Sequence, residues 1–287
     1  MKPWLLASRP KTLPAAVVPV WAGCLYASHI SGGFDLRLAV LTVLGAIFIQ
    51  IATNFFNDVI DAEKGTDTES RLGPQRMTAS GALSPKVVYL AAGLMLLCAS
   101  VVGLFLFLGR GWWIVVIGVP SLYLSYGYTG GPFPLAYRGM GEIFVILFFG
   151  LVAVGGTVFV QTGEWMPGAF LLGFQIGLLS AVLIAINNYR DLEEDRAAGK
   201  NTIVVRFGRP VVKWLILAMT IAPALLVPGH QIENWFPFAI GLGLLFTVIN
   251  FRGLQGGAPP EVLLGLAALH LVLFVVVQNF VMPLTST

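Results

Sequence analysis

Asn54-Phe-Phe-Asn57-Asp58-Val-Ile-Asp61 and Asn187-Asn188-Tyr-Arg-Asp191-Leu-Glu-Glu-Asp195 each stand at the end of a long apolar run, and their placement decides how the chain is read. Ionised groups beside hydrocarbon are costly, so two acidic clusters in such positions call for a functional explanation. Read as α-helix, spacings of three and four residues set Asn54, Asn57, Asp58 and Asp61 on one stripe and Asn187, Asp191 and Asp195 on another. Two facing stripes of hard oxygen donors would hold Mg²⁺ ions and, through them, a phosphorylated substrate. For a lone aspartate a solvated helix cap is the ordinary explanation. Two clusters of matching spacing make it the weaker one.

Around these clusters the chain is 57% hydrophobic and 11% charged over 287 residues, the composition of a polytopic membrane protein rather than a soluble domain. One domain, residues 1–287, is expected. The net charge of +3 is too small to suggest nucleic acid as a partner. Lys2, Arg9 and Lys11 precede the first apolar run in the manner of a signal peptide. Pro14 and Pro19 interrupt that run, however, and no convincing cleavage site follows, so a retained transmembrane helix is expected. Cys24 and Cys98 lie in apolar stretches, where they act as small hydrophobes. His29, His230 and His270 have no second His or Cys at metal-ligand spacing.

Runs long enough to cross the bilayer, roughly 20 residues each, fall near 13–30, 38–57, 87–109, 112–128, 140–161, 168–189, 211–228, 235–251 and 262–282. The expected fold is therefore an all-α membrane protein of about nine transmembrane helices around a central cavity open to the cytoplasmic side. Of the 17 Lys and Arg residues, only Arg37 and Arg110 fall on the side opposite the N-terminus, which sets the N-terminus and both acidic clusters on the cytoplasmic face. The loops near 58–86 and 190–210 hold nine of the 14 acids, among them Asp67 and Glu69.

Paired carboxylates, nearby cations and an apolar passage suit the departure of diphosphate from an allylic lipid, because neutralising the leaving group's charge lets the carbon–oxygen bond break without a protein nucleophile. Arg9, Lys11, Arg76, Arg138 and Lys200 are the candidate substrate-binding cations. Phe55, Phe56, Tyr123, Tyr126, Tyr128 and Phe148 are candidates to line the passage. An ion-coupled transporter is the rival reading. It would place its carboxylates near mid-membrane on broken helices rather than at helix ends running into charged loops.

The pairing of Asn57-Asp58-x-x-Asp61 with Asn187-x-x-x-Asp191-x-x-x-Asp195, together with nine expected spans, resembles the UbiA superfamily of membrane prenyltransferases. Within it, five stretches resemble the 1,4-dihydroxy-2-naphthoate polyprenyltransferases of menaquinone synthesis. They are Arg9-Pro-Lys-Thr-Leu-Pro14, Asn57 through Asp67, Gly73-Pro-Gln-Arg76, Tyr128-Thr-Gly-Gly-Pro-Phe-Pro134 with Tyr137-Arg138-Gly139, and Asn187 through Gly199-Lys200-Asn201-Thr202. The resemblance implies that Asn57, Asp58, Asp61, Asp191 and Asp195 bind Mg²⁺ and diphosphate, with Asp58, Asp61, Asp191 and Asp195 as the catalytic set. Asn187 stands where many relatives carry an aspartate. The implied reaction joins a polyprenyl group from polyprenyl diphosphate to the naphthoate with loss of CO₂, giving demethylmenaquinone, in the inner cell membrane. Other aromatic acceptors (4-hydroxybenzoate, homogentisate, a chlorophyllide or haem) remain open.

The charge asymmetry yields a topology test in protein whose Cys24 and Cys98 have been replaced. Asn201→Cys should react with a membrane-impermeant thiol reagent only from the cytoplasmic side, and Glu164→Cys only from the other. Labelling of both from one side would break the expected topology between them.

Overall fold

The computed structural model describes residues 2–65, 76–226 and 232–281. Asp67, Glu69, the Gly73-Pro-Gln stretch and His230 lie outside the described residues. The regular elements are all helical: α1 (Lys2–Ser8), a 3₁₀ turn (Pro10–Thr12), α2 (Leu13–Ser31), α3 (Leu36–Glu63), α4 (Pro85–Arg110), α5 (Trp113–Gly127) and a second 3₁₀ turn (Leu135–Arg138). There follow α6 (Gly141–Val145), a π-helical stretch (Ile146–Val152), α7 (Ala153–Thr162), α8 (Pro167–Arg190), α9 (Leu192–Ala197), α10 (Ile203–Leu225), α11 (Ile232–Gly256) and α12 (Pro260–Val281).

Each expected apolar run carries helix. Among the described residues, seven helices are long and apolar enough to cross a membrane, and Trp113–Gly127 is a shorter apolar one. α10 bends at Gly208, whose φ of 79° and ψ of 166° are not helical, and Pro210 follows. α4 and α5 are separate helices: Gly111 at φ 72° caps α4, its N–H donating to the Phe107 carbonyl at 2.7 Å.

The chain forms two compact units. The first comprises residues 1–17, 36–141 and 191–206. Here α3 packs against α1, α4 and α5, and the reason is legible along α3: Ala52, Phe55, Phe56, Val59 and Ile60 recur at helical spacing and are all buried. Met77, Val88 and Ala92 complete this core. On α4 the outward face repeats the pattern, with Leu90, Leu94, Leu97, Leu104 and Leu108 all exposed. A row of bare leucines would be unstable against water and is what a hydrocarbon surround requires.

The second unit comprises residues 18–35, 142–190 and 207–287. Within it α8 is largely buried and packs on the π-helical stretch and on α12. Gly150, Gly173 and Gly177 let these backbones approach: a methyl at Gly150 would collide with the Gly173 carbonyl and the backbone of Gly177. Without a water-driven hydrophobic effect between spans, such close approach is a main source of helix–helix attraction.

Gly150→Val should therefore lower the thermal unfolding midpoint of the protein in detergent, through an overpacking cost of roughly 1–3 kcal/mol. Gly241→Ala, whose new methyl meets no atom within 4 Å, should leave it unchanged. Equal midpoints for the two variants would remove the packing role of Gly150.

Candidate active site

The first acidic cluster lies wholly on α3, which runs on to Glu63 past the end of its apolar run, so Asp58 and Asp61 are helical rather than in the loop. The second cluster differs from its expected form. α8 ends at Arg190, and Asp191, at φ −87° and ψ 14°, is the non-helical residue that opens α9. Asn187, Asp191 and Asp195 therefore do not share one continuous helical stripe. Asp191 and Asp195 stay one turn apart, with the Asp195 N–H donating to the Asp191 carbonyl at 2.8 Å. Asn187 sits in the last turn of α8 and donates to the Leu183 carbonyl. Its neighbour Asn188 donates at 2.9 Å to Glu142, a buried carboxylate that the sequence reading had not singled out.

Within the first unit, Asp61 is where the polar segments converge. It is 1% exposed, and its Oδ1 accepts from the Tyr137 hydroxyl at 2.8 Å. Its Oδ2 lies 3.1 Å from Lys200 Nζ and 3.5 Å from Arg76 Nη2. The loop after α9 delivers Lys200 by folding back on Asp195. The Lys200 N–H donates to the Asp195 carbonyl at 2.8 Å, Gly199 turns at φ 70°, and Thr202 Oγ1 lies 3.5 Å from Asp195 Oδ2.

The Asn201 N–H donates to the Tyr137 carbonyl at 3.0 Å. This docking needs Gly139, which has φ 67° and whose absent side chain would strike the Asn201 carbonyl. Leu135–Arg138 and the 199–202 turn are thereby fixed together, and Tyr137 and Lys200 arrive at Asp61 as a pair.

Lys64, absent from the expected cation set, belongs to the same group. Its Nζ lies 3.8 Å from the centroid of the Tyr137 ring and donates at 2.8 Å to the Thr129 carbonyl, and Lys200 Nζ lies 5.0 Å from the same ring. Partial burial lowers the Lys64 pKa from its ordinary value; Asp61 raises it again and Lys200 lowers it. No sequence spacing links residue 64 to 137 or 200, so only the folded chain reveals this grouping. Tyr137 had entered only as part of a motif.

The remaining expected residues divide by what they touch. Asp58 directs both oxygens at the turn after residue 75, accepting from Met77 N–H, Thr78 N–H and Thr78 Oγ1 at 3.0, 2.8 and 2.6 Å. Asn57 accepts from the Thr129 hydroxyl. Asn54 donates to the Ser8 carbonyl at 2.8 Å and to Thr12 Oγ1 at 3.0 Å, and its own oxygen accepts from Gln50. These bonds clamp the segment that carries Arg9. Arg9 is partly buried and holds φ 50° and ψ 68°, the one non-glycine positive φ among the described residues. Lys11 is exposed. Arg138 is exposed too, its guanidinium 3.9 Å from the Phe133 ring centroid and its carbonyl accepting from Arg206. Phe55 and Phe56 pack in the core, Phe56 edge-on to Tyr126 at 5.4 Å. Tyr123 is exposed.

Among the described residues, no group of three or more His, Cys, Asp or Glu side chains is gathered closely enough to cage a metal. The donor set is buried hard oxygens, Asp61, Asp191 and Asp195, beside ammonium and guanidinium groups. That set fits a Mg²⁺ ion which takes one or two carboxylates and shares the rest of its shell with phosphate and water. It does not suit a dedicated protein cage.

Residues 16–262 match the model of the UbiA prenyltransferase family. The chain belongs to that family. A 1,4-dihydroxy-2-naphthoate octaprenyltransferase from Mycobacterium leprae is 35% identical over 88% of this UbiA chain and 84% of its own. Proteins of the same name from Haemophilus influenzae and Escherichia coli are 37% and 35% identical, covering 72% and 71% of this chain and 70% and 68% of theirs. A UbiA homolog from Archaeoglobus fulgidus, solved bound to DMAPP and Mg²⁺, superposes with a TM-score of 0.71 over 98% of this chain and 99% of its own, at 17% identity. Apo UbiA homolog from Aeropyrum pernix K1 gives 0.69 over 94% and 98%, at 15% identity. These likenesses show the fold. The membrane prenyltransferase assignment replaces the transporter reading.

Removing the Tyr137 hydroxyl should weaken prenyl transfer without unfolding the protein. A hydrogen bond to a charged acceptor contributes about 1.5–3 kcal/mol, so Tyr137→Phe is expected to lose about ten- to a hundredfold in kcat/KM. Asp61→Ala should lose more than Tyr137→Phe. Wild-type turnover in Tyr137→Phe, measured by product mass, would show that the bond to Asp61 is idle in the reaction.

Proposed function

We propose that this UbiA protein transfers a polyprenyl group from polyprenyl diphosphate to 1,4-dihydroxy-2-naphthoate, with loss of CO₂ and formation of demethylmenaquinol, the reduced form of demethylmenaquinone. The observation that carries the acceptor is the identity of 35–37% to three bacterial enzymes of that name. In support of the donor stand the carboxylates of Asp61, Asp191 and Asp195 and the cations Lys200 and Arg76 beside Asp61.

In this reading the prenyl C1–O bond breaks and its electron pair leaves with diphosphate. The ring carbon bearing the carboxylate attacks C1, and the C–CO₂ bond then breaks, returning its pair to the ring. Asp61, Asp191 and Asp195 would hold Mg²⁺, with Asn57 as a neutral oxygen donor. Mg²⁺, when bound, supplies charge neutralisation on the leaving diphosphate. Lys200, Arg76, Lys64 and Arg9 are the cations assigned to diphosphate. Leaving Asp61 uncompensated at its depth would be costly, so Lys200 turns toward the diphosphate only where other positive charge, such as Mg²⁺ would supply, takes its place at Asp61. Arg138 is assigned to the carboxylate of the acceptor, and Lys11 to the entrance.

The same proposal takes residues 1–287 as one domain crossing the inner cell membrane nine times, around a cavity open to the cytoplasmic side where the N-terminus lies. The crossings beyond the seven long apolar helices would be α5 and the stretch of α10 beyond Gly208.

The deciding assay supplies purified protein with Mg²⁺, a polyprenyl diphosphate, and acceptor labelled either in the ring or in the carboxylate. Product should keep the ring label, lose the carboxyl label, and fail to form when the divalent ion is chelated. Prenylated 4-hydroxybenzoate that retains its carboxylate, with no reaction on the naphthoate, would move the protein to another acceptor.

A further inference from the structure

Asp58 stands in the stripe of residues assigned to metal, yet the structure gives its oxygens other work. It lies one helical turn before Asp61 on α3 and is 1% exposed. Residues 76–83 form a compact turn in which the Ser80 N–H donates to the Arg76 carbonyl, the Gly81 N–H to the Thr78 carbonyl and the Leu83 N–H to the Met77 carbonyl. The first N–H groups of a helical turn have no partner within it. Here Met77 and Thr78 direct theirs at the Asp58 carboxylate, at 3.0 and 2.8 Å, and the Thr78 hydroxyl adds a third bond at 2.6 Å. Met77 and Thr78 are 3% and 8% exposed, so water does not compete for these bonds. Arg76 leads this turn, and its guanidinium reaches Asp61. One helix therefore holds the turn at two points: at Asp58 through its backbone, and at Asp61 through the cation it presents.

We propose that Asp58 and Thr78 form a latch that sets Arg76 in place for the diphosphate, so that Asp58 is a positioning residue and not a metal ligand. The inference rests on the prenyl diphosphate reading above. Geometry separates the two roles. A carboxylate receiving three hydrogen bonds from one turn has three of its roughly four lone-pair sites directed there, and turning those toward a metal would release two buried N–H groups and a hydroxyl together. Asp61, by contrast, already faces cations.

The latch is tested with Asp58→Asn, Thr78→Val, Thr78→Ser and the double variant of Asp58→Asn with Thr78→Val. Thr78 has no metal-binding role in either account. For each, the KM for polyprenyl diphosphate and the Mg²⁺ concentration giving half-maximal rate are measured. Both Asp58→Asn and Thr78→Val should raise that KM by about tenfold, with the half-maximal Mg²⁺ concentration moving less than about twofold. Thr78→Ser, which keeps the hydroxyl, should behave as wild type. The double variant should be no worse than Asp58→Asn alone, because both changes break one connection.

A nitroxide attached through Ala79→Cys, in protein whose Cys24 and Cys98 have been replaced, reads the turn without turnover. Its spectrum should sharpen in Asp58→Asn and in Thr78→Val but not in Thr78→Ser. That arm fails independently of the prenyl-transfer reading. An unchanged spectrum overturns the latch, as does a wild-type KM in Thr78→Val. A rise of tenfold or more in the Mg²⁺ requirement of Asp58→Asn alone overturns it and restores Asp58 to the metal. Should Asp58→Asn not accumulate, Thr78→Val and Thr78→Ser decide by the same criteria.

Discussion

The polar half of the first unit depends on one buried carboxylate. Asp61 is almost fully excluded from solvent and takes a hydroxyl from Tyr137 and charges from Lys200 and Arg76. These partners come from three segments far apart in sequence. An isolated carboxylate at that depth would be prohibitively costly, so the fold must bring all three segments to it. The Gly139 turn, the return of the 199–202 loop and the Thr78 turn can each be understood as a means of doing so.

Charge near a bilayer is tolerated when it is paired or placed at helix ends, and this UbiA chain does both. Lys64 and Lys200 flank one aromatic ring, where the face of Tyr137 offsets part of their repulsion. Elsewhere in the chain, helices expose leucine to hydrocarbon and pack glycine against glycine. Polar chemistry and lipid packing are thereby kept on different stretches of the same helices, as along α3, where the apolar run ends before Asp58.

Much of the fold was legible because membrane helices announce themselves by length and apolarity. The nine expected runs all carry helix, and the Arg110-Gly111 junction separates two helices as its glycine allows. The acidic clusters were legible for the same reason, since carboxylates stand out against 57% hydrophobic residues. The partners of those carboxylates were not. Tyr137 lies 76 residues from Asp61 and Lys200 lies 139, and no local pattern encodes such distances. Helical spacing also joined Asn187 to Asp191 across a break that the backbone makes at Asp191 itself. Spacing alone could not tell a carboxylate that meets cations, Asp61, from one that meets backbone amides, Asp58.

Arg9 carries a consequence of a different kind. Its left-handed backbone, clamped through Ser8 and Thr12 by Asn54, is a conformation that costs a residue with a Cβ roughly 1–2 kcal/mol and glycine almost nothing. Swapping Arg9 for glycine thus removes a cation and relaxes the main chain in one stroke, whereas alanine removes the cation and keeps the tension. The two truncations report different quantities, and their difference measures how much torsional load the amino-terminal arm carries.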